Sequence, residues 1–383
     1  MNRKIQAIKS IATNKVFGWK TKRKLLVIES DDWGAIRTSS KEAYDRLSIL
    51  GYDMTSSCYN LDSLETNEDL EALYNVLNKY KDINNRPVCF TANIVTANPD
   101  FQIIKDSGYK NYGYESVINT CLNTSGSENV VELWKQGFNE NVFFPQLHCR
   151  EHLRFWEWMD KLSNNCDETL TTFHLGMCGL PVSTSKNKTS FFRTPYIKED
   201  YLKKKSLSSA ALIKPAFEIF ERIFGFRPSS VVAPNVGWTS ETESIWEECG
   251  IKFIQGGKVQ IIDNIESKKF LYHYLGQSNN KGMLYLVRNC TFEPAKGIKF
   301  NHEQAFFEVN KAFNNDQPAI VSTHRVNYVG KIKPENRDHS LKELEMFLSS
   351  IVNKWPDVEF ITSCELGELI ANDHNSKKVG PIL

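Results

Sequence analysis

Little in these 383 residues points outward. The formal net charge is only +1, so no long-range field draws in nucleic acid or an acidic polymer. No apolar run approaches the roughly 20 residues of a membrane-spanning helix, and the N-terminus lacks the apolar core of a secretory signal. Nine cysteines are present, yet their spacings form no CxxC pair and no zinc-knuckle pattern. Free thiols in a reducing compartment, the cytoplasm, are the simplest account. There is no internal repeat, low-complexity tract or linker that would divide the chain. What remains is a globular composition, 41% hydrophobic and 24% charged, with enough apolar residues for one substantial core. Aromatics reach 12%, a level that suits a sugar-binding cleft but is more often spent on the core.

The first 24 residues stand apart. Eight Lys or Arg residues precede the first acid, Glu29, and Ile5, Ile8, Ala12, Val16 and Trp19 fall at helical spacing. A basic amphipathic segment over 1–24 is expected, packed on the body of the protein or lying on an anionic membrane face. From Leu25 onward short apolar runs alternate with longer stretches of helical periodicity. The runs at 25–29, 87–91, 142–147, 172–175, 231–233, 253–255, 283–287, 319–323 and 359–362 are expected strands. Such alternation predicts an α/β fold, a distorted (β/α) barrel of seven or eight mainly parallel strands in a single domain over 25–370, followed by a tail at 371–383. An open doubly wound sheet is the alternative. The polar stretch Gly176–Phe192 is expected as an inserted loop near the site mouth.

Active groups of such a fold sit at strand C-termini, and two polar clusters occupy that position. Lys24–Ser30 runs into Asp31-Asp32-Trp33-Gly34, and Val142–Leu147 runs into His148-Cys149-Arg150-Glu151-His152. Two imidazoles four residues apart share a face of a helical turn. With one carboxylate they make a three-ligand set for a divalent ion, zinc by its donor types, with an open position. The second carboxylate is left over as a base, and two adjacent carboxylates at a strand end repel unless a cation intervenes. His324 closes a third apolar run, Ala319–Thr323, where it suits a general acid. Two further strand ends, Val231–Trp238 and Arg288–Pro294, are candidates for lining a substrate groove.

In this order along the chain, the pieces resemble the polysaccharide deacetylase family of carbohydrate esterases, over roughly Leu25 to Ile370. Ser30-Asp31-Asp32-Trp33-Gly34 is similar to the family's Thr-Phe-Asp-Asp-Gly, and His148-Cys149-Arg150-Glu151-His152 to its His-(Ser/Thr)-x-x-His. Ser322-Thr323-His324 is similar to the late Leu-x-His. The resemblance implies Asp31 as catalytic base, His324 as catalytic acid, and Asp32, His148 and His152 as ligands of one divalent ion. Trp33, Arg193, Asn235, Trp238 and Arg288 are the candidate substrate contacts. The family's third motif carries an Arg that orients the base, whereas Ala233-Pro234-Asn235-Val236-Gly237 has none. Arg193, Arg288 and Arg325 are the possible replacements, and Glu293 is a candidate for tuning His324.

The implied activity is metal-dependent removal of an acetyl group, N-acetyl rather than O-acetyl, from a sugar or glycan precursor on the cytoplasmic side. Nucleic acid is not an expected partner; peripheral membrane contact through residues 1–24 is the second reading of that segment, behind its packing on the barrel. Two rivals remain open. His148-Cys149-Arg150-Glu151-His152 is also the inverted zinc-peptidase string, with Glu151 as base. The alternative from a different class is a non-catalytic barrel that binds a glycan or a partner.

Overall fold

The computed structural model describes residues 14, 16–264 and 267–378. Among these, nine strands form one sheet in which every neighbouring pair is parallel. They are β1 (Lys24–Trp33), β2 (Phe90–Val95), β3 (Phe143–Cys149), β4 (Ser230–Val232), β5 (Phe253–Gly256), β6 (Leu284–Val287), β7 (Cys290–Thr291), β8 (Ala319–His324) and β9 (Val358–Phe360). The spatial order is β6-β5-β4-β3-β2-β1-β8-β7, with β9 beside the first residues of β1. The two outermost strands, β6 and β7, are separated only by Arg288 and Asn289. The Arg288 N–H donates to the Gly256 carbonyl of β5 at 2.9 Å, and the Asn289 N–H donates to the Ile320 carbonyl of β8 at 3.1 Å. One segment thus bonds β5 with its first half and β8 with its second. The expected distorted barrel closes through the chain itself.

Helices cover the outside. In chain order, α1 (Asn67–Lys79), α2 (Val130–Asn139), α3 (Ser209–Phe224) and α4 (Ser240–Glu248) link β1 through β5. α5 (His302–Phe313), α6 (Pro334–Lys354) and α7 (Ser363–Lys378) follow β7, β8 and β9. Between β5 and β6 the link is an antiparallel hairpin of strands Val259–Asn264 and Ser267–Tyr272. Strands covered on both faces need apolar side chains at successive positions, and β1 is buried from Leu25 to Trp33. Local chemistry sets the helix starts. At α1 the Thr66 hydroxyl accepts from the Asp69 N–H and the Asp69 carboxylate accepts from the Thr66 N–H, a reciprocal cap. In α3, Pro215 has no N–H to give the Ala211 carbonyl four residues back. The Arg150 guanidinium takes that carbonyl at 3.1 Å, which ties the loop after β3 to the helix.

Two expectations change. Residues 172–175 are not a strand: Asp167–His174 is a helix, with Asp167 and Glu168 in its first turn and Thr169, Thr172 and Phe173 buried at helical spacing. The two threonines are β-branched, which imitates strand composition, but the i, i+3, i+4 burial wins. The tail boundary at 370 also moves, since α7 continues to Lys378. Of the basic leader, residues 1–13 and 15 lie outside the described residues. Trp19 packs against the body and donates from its indole to Asp373 at 2.9 Å. No helix among the described residues is long and apolar enough to cross a membrane. All nine cysteines are free. Most of the aromatic content is core, including a second cluster around Trp158 and Phe173 beneath the Gly176–Phe192 loop.

Candidate metal centre

Register brings the catalytic candidates together. In the β1–β8 ladder Leu26 pairs with Ala319, which puts Asp31 opposite His324 five residues later. Successive residues on a strand point to opposite faces, so Asp31 and Asp32 could not both face the mouth of a regular strand. The chain resolves this with a bulge against β2 between Ser30 and Trp33 and a left-handed Asp32, φ 75°. A non-glycine residue held there costs about 1–3 kcal/mol, a strain typical of functional sites. Gly34 turns the chain away at φ +85°, where an added Cβ would lie 2.6 Å from the Val95 carbonyl oxygen.

Asp32, His148 and His152 are buried, and one ligating atom from each lies within 4.8 Å of the others. His148 is the last residue but one of β3 and His152 lies in the bend after it. The expected shared helical face is therefore wrong: β3 runs on to Cys149, and the backbone then folds back to bring the rings to a centroid distance of 5.1 Å. His148 Nδ1 sits 2.8 Å from the Val232 carbonyl oxygen. That oxygen can only accept, so Nδ1 carries a proton and Nε2 is the nitrogen left to ligate through its lone pair. This lone pair faces Asp32 Oδ1 at 3.3 Å, and His152 Nε2 faces the same oxygen at 3.8 Å. Asp32 Oδ1 and His152 Nδ1 are both buried without a hydrogen-bond partner among the described residues. Acceptors aimed at one another in a buried site repel unless a cation lies between them. Burial, then the Arg37 charge, pushes the His152 imidazole down to about 3, so it stays in the neutral form that ligates. The donor set suits zinc or a similar divalent ion.

Asp31 stands beside this cluster in a different setting. Burial alone would raise its carboxyl, but the Arg288 charge and hydrogen bonds outweigh that and bring it down to about 2. Arg288 Nη1 donates to Oδ2 at 2.6 Å and Nη2 to Oδ1 at 2.7 Å, while Asn93 of β2 donates to Oδ1 at 2.8 Å. The far edge of the guanidinium donates to Glu29 at 2.5 Å, and Glu29 accepts from Ser363 at 2.7 Å. Of the three candidate arginines, Arg288 of the barrel-closing segment is the one bonded to Asp31. Arg325 is elsewhere, fully buried between Asp62 and Glu65.

His324 Nε2 lies 3.9 Å from Asp31 Oδ2, and its Nδ1 is hydrogen-bonded to Glu293. Burial opposes the charged ring, but the Glu293 carboxylate prevails and raises it to about 9. Asn327 donates to the other Glu293 oxygen at 2.8 Å. The site therefore holds an ionised carboxylate, the His148–His152 pair and a protonated imidazole around one cavity of about 760 Å³. Asn235 and Arg288 line that cavity, as do Met177, Pro181 and Phe192 from the Gly176–Phe192 loop.

Searches with the sequence find no matching family model and no matching curated protein. Solved structures do match. Polysaccharide deacetylases are among its structural neighbours. One similar structure is a peptidoglycan deacetylase of Bacillus subtilis, 11% identical, covering 93% of this chain and 96% of that one at a TM-score of 0.37. Another is a family 4 acetyl xylan esterase of Clostridium thermocellum in complex with a cobalt ion, 12% identical over 90% and 91%, TM-score 0.37. A third, from Parabacteroides distasonis and described as a glycoside hydrolase or deacetylase, is 10% identical over 91% and 71%, TM-score 0.48. The geometry above, rather than these distant likenesses, carries the chemistry that follows.

Other expected contacts fall away from the cavity. Trp33 is fully buried, its ring 5.2 Å from Phe143 and its indole donating to Ser30 at 3.0 Å. It is core because the bulge turns it inward as it turns Asp32 to the mouth. Trp238 is buried too, donating to Glu243 at 2.8 Å. Arg193 is exposed and off the cavity wall. Glu151 is engaged by Arg150 and by the Tyr112 hydroxyl at 2.8 Å, and it does not line the cavity. A peptidase base would need to reach that space. Asn93, Arg37 and Tyr59 escaped the sequence reading. Asn93 had one signal, a lone amide inside the run Phe90–Val95.

Proposed function

We propose that this chain is a divergent polysaccharide-deacetylase-like hydrolase that removes an acetyl group, N-acetyl in the first instance, from a sugar or glycan precursor. The supporting observation is the apposition of two lone-pair donors and a carboxylate oxygen within 4.8 Å, beside a second carboxylate and a charged imidazole that are kept in opposite protonation states. Asp32, His148 and His152 would hold one divalent ion. That ion would supply Lewis acidity toward a carbonyl oxygen and acidify water near neutral pH.

The remaining work belongs to the protein. Asp31, ionised and oriented by Arg288 and Asn93, takes the proton of the attacking water. His324, charged and fixed by Glu293, gives its Nε2 proton to the departing amine nitrogen, which leaves poorly without it. Acetate and the free amino sugar are the products. The Gly176–Phe192 loop narrows access over the pair, and Phe192 caps Arg37 with its ring 4.0 Å from the guanidinium.

The test is elemental analysis of purified wild type and Asp32→Ala, together with acetate release from N-acetylated chito-oligosaccharides. About one equivalent of divalent metal in the wild type, lost in the variant along with acetate release, is expected. A wild type that holds no metal after growth in zinc-supplemented medium would overturn the proposal.

A further inference from the structure

The cavity extends past the metal cluster, its wall carries Asp31, Asp32 and Glu308 as well as three lysine or arginine cations, and one of those cations has no ion-pair partner among the described residues. Arg37, Lys258 and Arg288 are its lysine and arginine side chains. Arg288 is taken up by Glu29 and Asp31. Arg37 lies beside Asp32 at 3.5 Å and Asp62 at 3.7 Å. Lys258 lines the same wall, and among the described residues no carboxylate forms an ion pair with its ammonium. Glu308 is the acid that bears on it, but the Glu308 carboxylate already accepts from the Thr291 N–H at 2.7 Å and from Gln304 at 3.0 Å. Lys311 adds charge of the same sign, and the neighbouring Cys290 thiol is held neutral by burial.

Position makes this charge usable. Lys258 follows β5 by two residues, after Gly256 and Gly257, at the C-terminal mouth where the catalytic groups gather. Its carbonyl accepts from the His273 N–H at 3.0 Å, which anchors the residue between the barrel and the hairpin. Burial lowers its pKa, and the opposing pull of Glu308 does not make up for the lost water. A ligand anion would replace what was lost. The space, about 760 Å³, is that of a site for a ligand much larger than one acetamido group.

We infer that Lys258 forms an anion subsite in the cavity of the Asp32, His148 and His152 cluster, so that the substrate bears a phosphate or carboxylate group as well as its acetyl group. The anion subsite stands on the Lys258 geometry; that its ligand is an acetylated sugar rests on the hydrolase proposal. Arg37 and Arg288 remain with their carboxylates, and Lys258 selects charged sugars over neutral ones.

Calorimetric titration of the purified full chain reads the subsite without turnover. The probes are glucosamine, glucosamine 6-phosphate, muramic acid and inorganic phosphate; the variants are Lys258→Met and Lys258→Arg, each checked for an unchanged melting temperature. A charged sugar should bind about tenfold to a hundredfold more tightly than glucosamine, the range of one charge-assisted hydrogen bond. Lys258→Met should abolish that preference and leave glucosamine affinity unchanged, while Lys258→Arg should keep most of it. The phosphate and carboxylate arms decide which anion is preferred. Equal affinity for charged and neutral sugars, equal loss of both in Lys258→Met, or no binding of any anionic probe at millimolar concentration would each overturn the inference. Lys258-dependent anion binding with no acetate released from any N-acetylated probe supports the subsite and counts against the hydrolase. Acetate release that is indifferent to Lys258→Met for charged substrates has the reverse meaning.

Discussion

At the scale of single residues, the centre works by giving like groups unlike environments. Asp31 and Asp32 are adjacent and chemically identical. One is clamped by a guanidinium, and the other faces two lone pairs. The histidines divide in the same way, His152 driven neutral by burial and Arg37, His324 held charged by Glu293. Glu293→Gln should therefore move the alkaline limb of the kcat profile. The His324 proton is bound below about 9 in the native protein, so turnover that needs it falls as pH rises through that value. Without the carboxylate the limb shifts to lower pH while metal content stays constant. The same pair contributes to stability. Because the folded value is raised, that contribution is fully present below the unfolded value of about 6.5 and is lost as pH rises toward 9. The stability gap between wild type and Glu293→Gln, from urea titrations, should thus close with rising pH. Arg288→Met should leave Asp31 and Glu29 uncompensated in a buried site. A kcat loss of about 100-fold or more, with metal retained and a raised acid limb, is expected; an unchanged acid limb would remove Arg288 from its assigned role.

At the scale of elements, the end of β1 is where the fold departs from regularity. The bulge, the left-handed Asp32 and the Gly34 turn are one device that aims two consecutive carboxylates at one cavity. Gly34→Ala would push a methyl toward the Val95 carbonyl at a positive φ, and a destabilisation of about 1–3 kcal/mol is expected from chemical denaturation, with metal affinity falling alongside. Strand positions were legible from apolar runs, and eight of the nine expected strands overlap an observed barrel strand, the run at 87–91 only by its last two residues. Asp32 was legible for the same reason, since a buried run that ends in two acids is unusual. Two features were not legible. Thr172–Leu175 looks like a strand in composition but buries a helical face. His148 and His152 have helical spacing, yet they belong to a strand end and a bend. Spacing along a chain does not reveal which backbone path joins the two residues.

At the scale of the whole molecule, the candidate metal centre draws on three separate chain regions: β1, the end of β3, and the β4 carbonyl that fixes the His148 tautomer. Its occupation should stabilise the entire barrel. A chelator should lower the melting temperature, and zinc at about 100 times its dissociation constant should restore about 2.7 kcal/mol; a melting curve indifferent to both would argue that no ion binds. The sequence alone determined the alternation of strand and helix, the parallel α/β class and the placing of Asp31, Asp32, His148 and His324 at strand ends. Apolar periodicity and strand-end polarity are local properties, written in consecutive residues. Only the tertiary structure decided that Arg288 rather than Arg193 or Arg325 clamps Asp31, that Trp33 and Trp238 belong to the core, that Glu151 is diverted to Arg150 and Tyr112, and that Lys258 faces the cavity without a counter-ion. Those outcomes depend on register, on how the barrel closes through residues 288 and 289, and on which charges meet across it. They arise between segments up to 259 residues apart, where no neighbour in the chain records the encounter.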